Sequence, residues 1–507
     1  MSPSGDDLSL VQRARLHGNR RAIVVPEGVF TYADLLASSS AVAHALLLDA
    51  TDLAEERVAF LAPPGFDYVA VQWGIWRAGG IAVPLATSHP TPELEYVLDD
   101  GEPAALVLHP ELAERIRSAA ENRGIRVLLT SEIIPRLPEI PSRTFPTLDR
   151  GRRALMLYTS GTTGRPKGVV TTHSNLEAQV ASLVDAWEWS ADDQILLVLP
   201  LHHVHGIVNV LTCALWSGAC CQILPGFDAE ETWRGIALGD LTLFMAVPTV
   251  YSKLLASWEA ASPALREARS EGCRAMRLMV SGSAALPVTL LERWKEVSGH
   301  VLLERYGMTE IGMALSNPLR GMRRPGFVGQ PLPGMKVRLV DEEGREVPAG
   351  SEGEIEVRGP TVFKEYWRRP EETARSFREG WFKTGDVAVV LDGDYRILGR
   401  RSVDIIKTGG YKVSALEVEE VLRTHPEIAE CAVVAIPDEE WGERVGAAVV
   451  PHEGCEVEAA SLRTWAKERL APYKVPSVVL ALAHLPRNAM GKVTKPEVTK
   501  LFKEAAP

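Results

Sequence analysis

The sequence is poor in cysteine and in long apolar runs. Its 507 residues include six cysteines, with no C-x-x-C spacing, at positions 213, 220, 221, 273, 431 and 455. This pattern argues against a structural zinc site and favours reduced, buried thiols in an intracellular protein. The best apolar run, 195–201, holds a proline and is far shorter than the roughly 18 residues that a membrane span needs. We therefore expect no membrane-spanning segment.

Positive charge is also scarce. The 55 Lys and Arg residues face 66 Asp and Glu residues, which gives a net charge of −11. Nucleic acids and anionic membranes need a cationic footprint, so we expect small-molecule partners and neither nucleic acid nor membrane. The N-terminal segment carries acids and no long apolar stretch, which favours a cytoplasmic location, with the mitochondrial matrix as the alternative if a presequence has been removed. The oligomeric state stays open between monomer and homodimer.

The length and the 46% hydrophobic content indicate a globular protein of more than one domain. From residue 31 to about 299, short apolar runs alternate with helix-period segments, as in 58–61, 66–77 and 81–85. This alternation predicts a layered α/β body with largely parallel sheets. After Pro325, period-2 patterns predict a small β-barrel-like subdomain over 325–399. Residues 404–507 carry their own alternating elements and predict a small α+β domain.

A glycine-rich segment with several hydroxyls, 158–168, follows the apolar run 154–157. Its glycines let backbone amides turn toward a polyphosphate, its hydroxyls donate hydrogen bonds, and Lys167 adds positive charge. It is not a Walker loop, because Pro166 stands where the second glycine belongs and Gly168 follows the lysine. A plain flexible turn is the simpler alternative, but the hydroxyls and the lysine argue against it. The segment predicts a phosphate loop of another type.

The motif T-S-G-T-T-G-R-P-K-G resembles the signature of the adenylate-forming superfamily, which contains acyl-CoA synthetases, luciferases and adenylation domains. Further blocks follow in the family's order: 304–310 (E-R-Y-G-M-T-E), 381–386 (W-F-K-T-G-D), 399–400 (G-R), 407–411 (K-T-G-G-Y) and 486–492 (P-R-N-A-M-G-K). The resemblance implies a ligase that joins an acid to coenzyme A through an acyl-adenylate, using ATP and Mg²⁺. It implies an N-terminal domain of 1–399, a hinge at 400–403 and a mobile C-terminal domain of 404–507.

The resemblance also implies roles for individual residues. ATP or AMP would be bound by Thr159, Ser160, Gly161, Thr162, Thr163, Gly164, Lys167, Ser283, Ala284, Ala285, Glu304, Arg305, Tyr306, Gly307, Met308, Thr309, Asp386 and Arg400. Asp386 would accept hydrogen bonds from both ribose hydroxyls. Thr309 would contact the α-phosphate, and Glu310 with Thr162 would reach Mg²⁺. The simpler alternatives are a turn residue for Asp386 and a helix cap for Glu310.

Lys492 is the main catalytic candidate, together with Thr309 and Glu310. In the family this lysine enters the site during adenylation and contacts carboxylate and phosphate oxygens as charge moves. The small domain then rotates and brings a glycine turn to the pantetheine tunnel, here Lys407, Gly409, Gly410 and Tyr411. The hinge departs from the family pattern, because 399–404 is one residue longer and lacks the expected acid or lysine. Rotation about Ser402 or Val403 remains the expectation.

The segment 200–206 holds three histidines, follows a strand and opens a helix. A metal site is one interpretation, but no Cys, Asp or Glu cluster accompanies the histidines at ligand spacing. We predict instead that His203 is an aromatic gate and that His205 faces the acyl pocket. His202 is equally well explained as a core or loop histidine.

The blocks at 203–206, 281–286, 304–310, 323–326 and 402–410 look most like malonyl- and methylmalonyl-CoA synthetases. Such a substrate carries a second carboxylate, which needs a buried cation, and the fork of an arginine suits it. We predict Arg323 for this role, then Lys253, with Ser281 also in the acyl pocket. An ordinary loop cation is the simpler explanation of Arg323, since Arg324 adjoins it.

The predicted reaction forms malonyl-CoA, with methylmalonyl-CoA as a further product, from the free dicarboxylate, ATP and coenzyme A, releasing AMP and pyrophosphate. The alternative enzyme is a short- or medium-chain fatty acid or aryl acid–CoA ligase. Outside enzymes, the chain could bind adenylates without turnover, which the intact Lys167, Glu310, Asp386 and Lys492 argue against. A carrier-protein adenylation module is disfavoured because no carrier domain follows the final lysine.

Overall fold

The structure, a computed structural model, describes residues 8–134, 144–159, 165–487 and 492–505. Strands β1–β15 span Arg21–Val25, Gly28–Thr31, Arg57–Leu61, Ile81–Pro84, Ala105–Leu108, Arg126–Leu129, Arg153–Thr159, Lys167–Thr172, Gln194–Leu197, Cys220–Ile223, Leu243–Ala246, Leu278–Ser281, Leu303–Met308, Gly312–Ser316 and Gln330–Pro331. Strands β16–β26 span Lys336–Val340, Gly353–Arg358, Glu365–Tyr366, Phe377–Arg378, Trp381–Leu391, Asp394–Arg400, Ile405–Thr408, Tyr411–Ser414, Ile428–Asp438, Gly442–Pro451 and Val478–Ala481.

Helices α1–α16 span Ser9–His17, Tyr32–Leu47, Phe66–Arg77, Thr91–Gly101, Arg117–Glu121, Thr130–Ile133, His173–Ala186, Cys213–Ser217, Ala229–Ala237, Pro248–Ala260, Pro263–Ala275, Val288–Ser298, Pro370–Arg375, Ala415–Leu422, Ala459–Lys467 and Lys495–Glu504. Further helical segments are a π-helix, His205–Thr212, and two 3₁₀ helices, Pro110–Arg115 and Pro472–Lys474. Among the residues that the structure describes, none of the helices is long and apolar enough to cross a membrane.

Two large sheets form the N-terminal body. The first has the order β15-β14-β13-β12-β11-β9-β10-β1-β2, and the strands from β1 to β13 in this order run parallel to one another. The second has the order β18-β8-β7-β4-β3-β5-β6, with β7, β4, β3, β5 and β6 parallel. Most of the parallel strands are buried apolar runs, as expected for strands between helical layers. The predicted layered α/β architecture is confirmed.

Local sequence signals explain where several helices begin and end. Helix α2 begins with a capping box in which Thr31 and Asp34 exchange side-chain and backbone hydrogen bonds. Helix α8 ends at Gly218, which has a φ of 79°. A side chain at this glycine would also collide with the ring of His17, so a residue without Cβ is required there.

The region after Pro325 forms a five-stranded antiparallel sheet with the order β16-β17-β20-β19 and with β21 paired to β20. The long β20–β21 hairpin places Asp386 directly opposite Arg400. Because the two residues are 14 positions apart, the hairpin is what brings these two charges together.

The C-terminal part has its own sheet, with the order β23-β22-β25-β24 and with β26 beside β25. Helices α14 and α15 contribute to its separate core, which includes Ile406, Val433 and Leu462. Strand β21 ends at Arg400 and β22 begins at Ile405, so the proposed hinge, 400–403, lies at a turn between two sheets. The use of this turn as a hinge stays a prediction.

Candidate active site

Strand β13 supplies side chains to two different sides of the candidate site. Successive side chains of a strand point to opposite faces. Tyr306 donates its hydroxyl hydrogen to Asp386, whereas the guanidinium of the preceding residue, Arg305, donates to Ser283. One short strand therefore serves both the candidate nucleotide side and the candidate acyl side.

Asp386 is held by two donors on the candidate nucleotide side. The Tyr306 hydroxyl is 2.6 Å from Asp386 Oδ2, and Arg400 Nε is 2.9 Å from Oδ1. Burial, followed by the charge of Asp386, raises the pKa of Tyr306 well above its ordinary value, so its hydroxyl remains a donor. Burial by itself would lower the pKa of Arg400. The interaction with Asp386 outweighs burial, so the pKa of Arg400 is raised. The fixed carboxylate keeps lone pairs for vicinal hydroxyls such as those of a ribose.

The predicted phosphate loop connects the two strands of a hairpin. Thr159 at the end of β7 is the antiparallel partner of Lys167 at the start of β8. The loop residues Ser160, Gly161, Thr162, Thr163 and Gly164 lie outside the described residues. Lys167 Nζ is 2.7 Å from Glu372 Oε2 and 5.2 Å from the centre of the Tyr366 ring. The lysine is thus held at the base of the loop by a carboxylate with which phosphate groups would compete.

Glu310 is buried beside the same tyrosine. Its side chain accepts the Tyr366 hydroxyl hydrogen at 2.9 Å, and burial raises the pKa of Glu310. A cation next to this carboxylate would favour its charged form. Carboxylate oxygens of this kind fit Mg²⁺. At nucleotide sites this ion is bound by few protein ligands together with substrate phosphates, whose charge it neutralises. Within the described ranges, no cluster of three or more His, Cys, Asp or Glu side chains forms a metal site by itself.

A buried arginine dominates the candidate acyl side. Arg305 is 3% exposed, its Nη2 is 3.3 Å from Ser283 Oγ, and that oxygen is 3.2 Å from His205 Nδ1. Arg305 Nε and Nη1, His205 Nε2 and Ser281 Oγ have no hydrogen-bond partner among the described residues. Burial lowers the pKa of Arg305 to about 9, which leaves the guanidinium charged at neutral pH.

This arrangement suits a bound carboxylate. A buried cation with unused N–H groups is unfavourable until an anion and its oxygens complete the site. The backbone is shaped around the guanidinium: a Cβ on Gly282 would lie 2.7 Å from Arg305 Cζ. The next residue, Ser283, has a φ of 68°, a strained conformation for a side-chain-bearing residue. Such strain is found where a loop must present a particular group to a ligand.

Lys492 reaches this region from the C-terminal part of the chain. Burial lowers the pKa of Lys492, and the charges of Arg305 and Arg400 lower it further. Burial is the largest cause of the lowered pKa values of His203 and His205, and the charge of Lys492 lowers them further. These mutual effects indicate that Lys492 lies near both sides of the candidate site, where the family resemblance expects it during adenylation. Its catalytic role stays a prediction.

The histidine segment lies beside the same region. The ring centres of His202 and His203 are 4.1 Å apart, and His89 stacks edge-on against His202 at 5.6 Å. Burial, the main cause, lowers the pKa of His203 to about 2 and that of His202 to about 4, so both rings are neutral at pH 7. His205 begins the π-helix, a rare element that is frequent at functional sites.

The two cations predicted to hold a second carboxylate lie elsewhere. Arg323 donates to three backbone carbonyls, those of Val301, Pro318 and Leu319. Lys253 is exposed on α10, with its ammonium 5.8 Å from the ring centre of Phe227. In the structure neither side chain lies beside Arg305, so their binding of a second carboxylate stays a prediction without a contact to support it. The buried cation on the candidate acyl side is Arg305, which the sequence blocks had assigned to the nucleotide.

The remaining predicted nucleotide residues surround the two ends of β13. Glu304 is buried and accepts backbone N–H groups from Leu286 and Gly326, and burial raises its pKa to about 8. It therefore supports loops behind the strand, and the structure places it away from an exposed binding position. Residues Ala284 and Ala285 are exposed, Gly307 and Met308 end β13, and Thr309 lies in the following turn. Nucleotide contacts by these last residues stay predictions.

The predicted coenzyme A residues form a hairpin turn in the C-terminal part. Gly409 and Gly410 connect β22 to β23 with φ values of 55° and 82°. The side chain of Lys407 is exposed, and Tyr411 stacks on Tyr473 with ring centres 4.3 Å apart. A turn of this kind can approach a ligand closely, but its part in thioester formation stays a prediction.

Two residues of the site were missed by sequence reasoning. Tyr366 touches both Lys167 and Glu310, and Glu372 forms the ion pair with Lys167. The only sequence signal was an aromatic and acidic segment, 365–372, between two recognised blocks. Because Tyr366 is 56 residues from Glu310, the contact becomes visible only in the folded chain.

Comparison with known proteins agrees with the geometry. Residues 10–367 match the AMP-binding enzyme family, and residues 417–492 match the AMP-binding enzyme C-terminal domain. The chain is 48% identical to the mitochondrial malonate–CoA ligase ACSF3 of Mus musculus over 522 aligned residues, which cover 96% of this chain and 89% of that protein.

Solved structures are similar over nearly the whole chain. ATP-bound MatB from Rhodopseudomonas palustris is 35% identical, with a TM-score of 0.90, 98% of this chain and 99% of that chain covered. Apo MatB, at the same identity and coverage, has a TM-score of 0.81. MenE from Bacillus subtilis in complex with ATP and magnesium is 28% identical, with a TM-score of 0.84 and coverage of 97% and 98%. The resemblance read from the sequence is confirmed, and the chain belongs to the AMP-binding enzyme family.

Proposed function

We propose that this chain is an ATP-dependent malonate–CoA ligase. The observation that carries the proposal is Arg305, a buried guanidinium with two nitrogens that lack partners among the described residues. Malonate has one carboxylate to activate and a second that must be neutralised only a few ångströms away. A fatty or aryl acid would leave the guanidinium buried without an anion, which costs several kcal/mol, on the order of a desolvated ion.

In the first half-reaction, a carboxylate oxygen of malonate attacks the α-phosphorus of ATP and pyrophosphate leaves. Arg305, with Ser281 and His205, would bind the other carboxylate and so fix which end reacts. Lys492 would donate to the attacking carboxylate and to α-phosphate oxygens, where negative charge is redistributed. Asp386 would hold the ribose. Mg²⁺ beside Glu310 would neutralise the phosphates.

In the second half-reaction, the thiolate of coenzyme A attacks the acyl carbonyl and AMP leaves with the bonding electrons. The glycine turn 409–410 would move to the tunnel mouth while Lys492 withdraws. The relative named above is a malonate–CoA ligase, which supports the acid assignment. Preference between malonate and methylmalonate stays a prediction. So does the cytoplasmic location, for which the mitochondrial matrix is the alternative that the mouse relative's name favours.

The test is thioester formation by the purified protein with ATP, Mg²⁺ and coenzyme A across an acid panel. Malonate, methylmalonate, succinate, acetate, butyrate, octanoate and benzoate separate the candidates. We expect malonate or methylmalonate to give a kcat/KM at least about 100-fold above acetate and butyrate, because only dicarboxylates complete the arginine site. Preference for octanoate or benzoate would establish the alternative ligase. Absence of any acyl-adenylate would reject the enzyme assignment altogether.

A further inference from the structure

The two parts of the chain also meet where helix α14 approaches the start of helix α12. Glu420, on helix α14 of the C-terminal part, accepts the backbone N–H of Val288 through its Oε1 at 2.8 Å. Val288 is the first residue of α12 in the N-terminal body, and no side chain of its own segment caps this helix. The first N–H groups of a helix lack intrahelical acceptors and carry partial positive charge. A carboxylate from the other part of the chain therefore caps α12.

Glu420 is prepared for this contact by its own helix. Arg423, one turn later, places Nη1 3.4 Å from Glu420 Oε2 and Nη2 3.0 Å from Glu419 Oε2. The Glu420 side chain is 30% exposed, so its hydrogen bond is partly shielded from water. A second contact between the two parts, Lys412 with Glu342, has both side chains more than half exposed, and such pairs contribute little.

The contact is electrostatically linked to strand β13. The pKa of Glu304 is raised to about 8. Burial is the main cause, and the negative charge of Glu420 raises this pKa further. Glu304 is the neighbour of Arg305 on β13. The charge of Glu420 is thus felt by the neighbour of the candidate acyl cation. With the two parts of the chain in this arrangement, the positive charge of Lys492 contributes to the lowered pKa values of His203 and His205.

We propose that Glu420 is a positioning residue for the adenylate-forming half-reaction. By capping α12 it favours the domain orientation in which Lys492 reaches the reacting groups, and it makes no contact with substrate. The inference rests on the proposed function, since it needs two half-reactions with different domain orientations. Removing the cap lowers the population of the adenylating orientation, and the apparent rate falls by the same fraction.

The experiment compares Glu420→Ala and Glu420→Gln with the wild type in two separate assays. Adenylation is followed by ATP–pyrophosphate exchange, and the thioester step by adding coenzyme A to chemically prepared acyl-adenylate. We expect Glu420→Ala to lower exchange about tenfold, equivalent to about 1.4 kcal/mol. Thioester formation should stay within about twofold or rise. Glu420→Gln keeps an acceptor oxygen without the charge and should lie between.

A matched control is Glu453→Gln, which removes one charge from an exposed loop of the same domain. It should leave both assays unchanged. Equal losses in both half-reactions, or no loss in exchange by either Glu420 variant, would overturn the inference. If Glu420→Ala melts early, two other results decide the question. One is the pair of assays on Glu420→Gln, and the other is the distance distribution between spin labels on the two domains in ATP-bound protein. Both assays use whichever acid the wild type activates, so failure with malonate would reject only the substrate assignment.

Discussion

Two arginines near the same strand differ in what surrounds them. Arg305 is fully buried and Arg323 is partly buried, and burial lowers the pKa of each. Arg323 has its guanidinium satisfied by three backbone carbonyls, whereas Arg305 keeps Nε and Nη1 without partners in the described part of the chain. The first arginine therefore ties loops together, and the second is available to a ligand. Unused hydrogen-bonding capacity, more than charge, distinguishes a binding group from a structural one.

Replacement of Arg305 should have the largest effect. In Arg305→Met, malonate loses its ion pair and must desolvate a carboxylate in an apolar site. We expect kcat/KM for malonate to fall at least about 1000-fold, equivalent to about 4 kcal/mol, while butyrate use stays level or rises. Steady-state thioester assays with both acids measure this. Arg305→Lys, which keeps the charge but not the fork, should retain part of the preference. A proportional fall for malonate and butyrate in Arg305→Met would contradict the assignment.

Replacing Arg323 and replacing Arg305 should change the stability of the protein in opposite directions. Arg323→Met removes hydrogen bonds to three backbone carbonyls, two of them partly buried and one exposed, and should lower the free energy of unfolding by about 1 kcal/mol. Arg305→Met removes an uncompensated buried charge and should raise the melting temperature of the ligand-free protein. Calorimetry or dye-monitored melting without substrate checks both. If both variants melt early, the contrast between the two arginines is wrong.

The neighbour of Arg305 offers a pH test. Burial raises the pKa of Glu304 to about 8, above an ordinary value of 4.5, so the folded state favours the protonated acid. Its contribution to stability is full below about pH 4.5 and is lost as the pH rises through about 8. Glu304→Gln should therefore flatten the fall in melting temperature between pH 5 and pH 8.5. An unchanged slope would mean that Glu304 is already ionised at neutral pH.

Lys253 should show the smallest effect. Because it is exposed on α10, Lys253→Ala should change stability by no more than about 0.5 kcal/mol and leave the malonate-to-butyrate ratio unchanged. The melting temperature and the acid panel test this together. A selective loss of malonate use would return Lys253 to the acyl site.

Much of the fold could be predicted because its signals are local. The strand–helix–strand unit of 58–85 shows its apolar periods and its glycine stop directly in the sequence. The blocks identified the family because the order of the motifs can be read directly along the sequence. They placed Arg305 with Tyr306, since both lie in one block, although strand alternation turns the two side chains to opposite faces.

What the sequence could not reveal is which buried groups remain without partners. The carbonyls that satisfy Arg323 belong to residues whose side chains carry no sign of this role. Likewise, Tyr366 and Glu372 reach Glu310 and Lys167 across folded strands. Contacts of this kind depend on tertiary packing and on backbone groups, which a pattern of residue types does not record.

Gly282 leaves no room for even a methyl group beside the Arg305 guanidinium. An alanine at this one position would push the arginine aside without altering any charged residue. If Arg305 binds the second carboxylate, as proposed, a single small mutation in an uncharged loop would weaken the use of diacids. A search for new substrate preference that samples charged residues alone would overlook it.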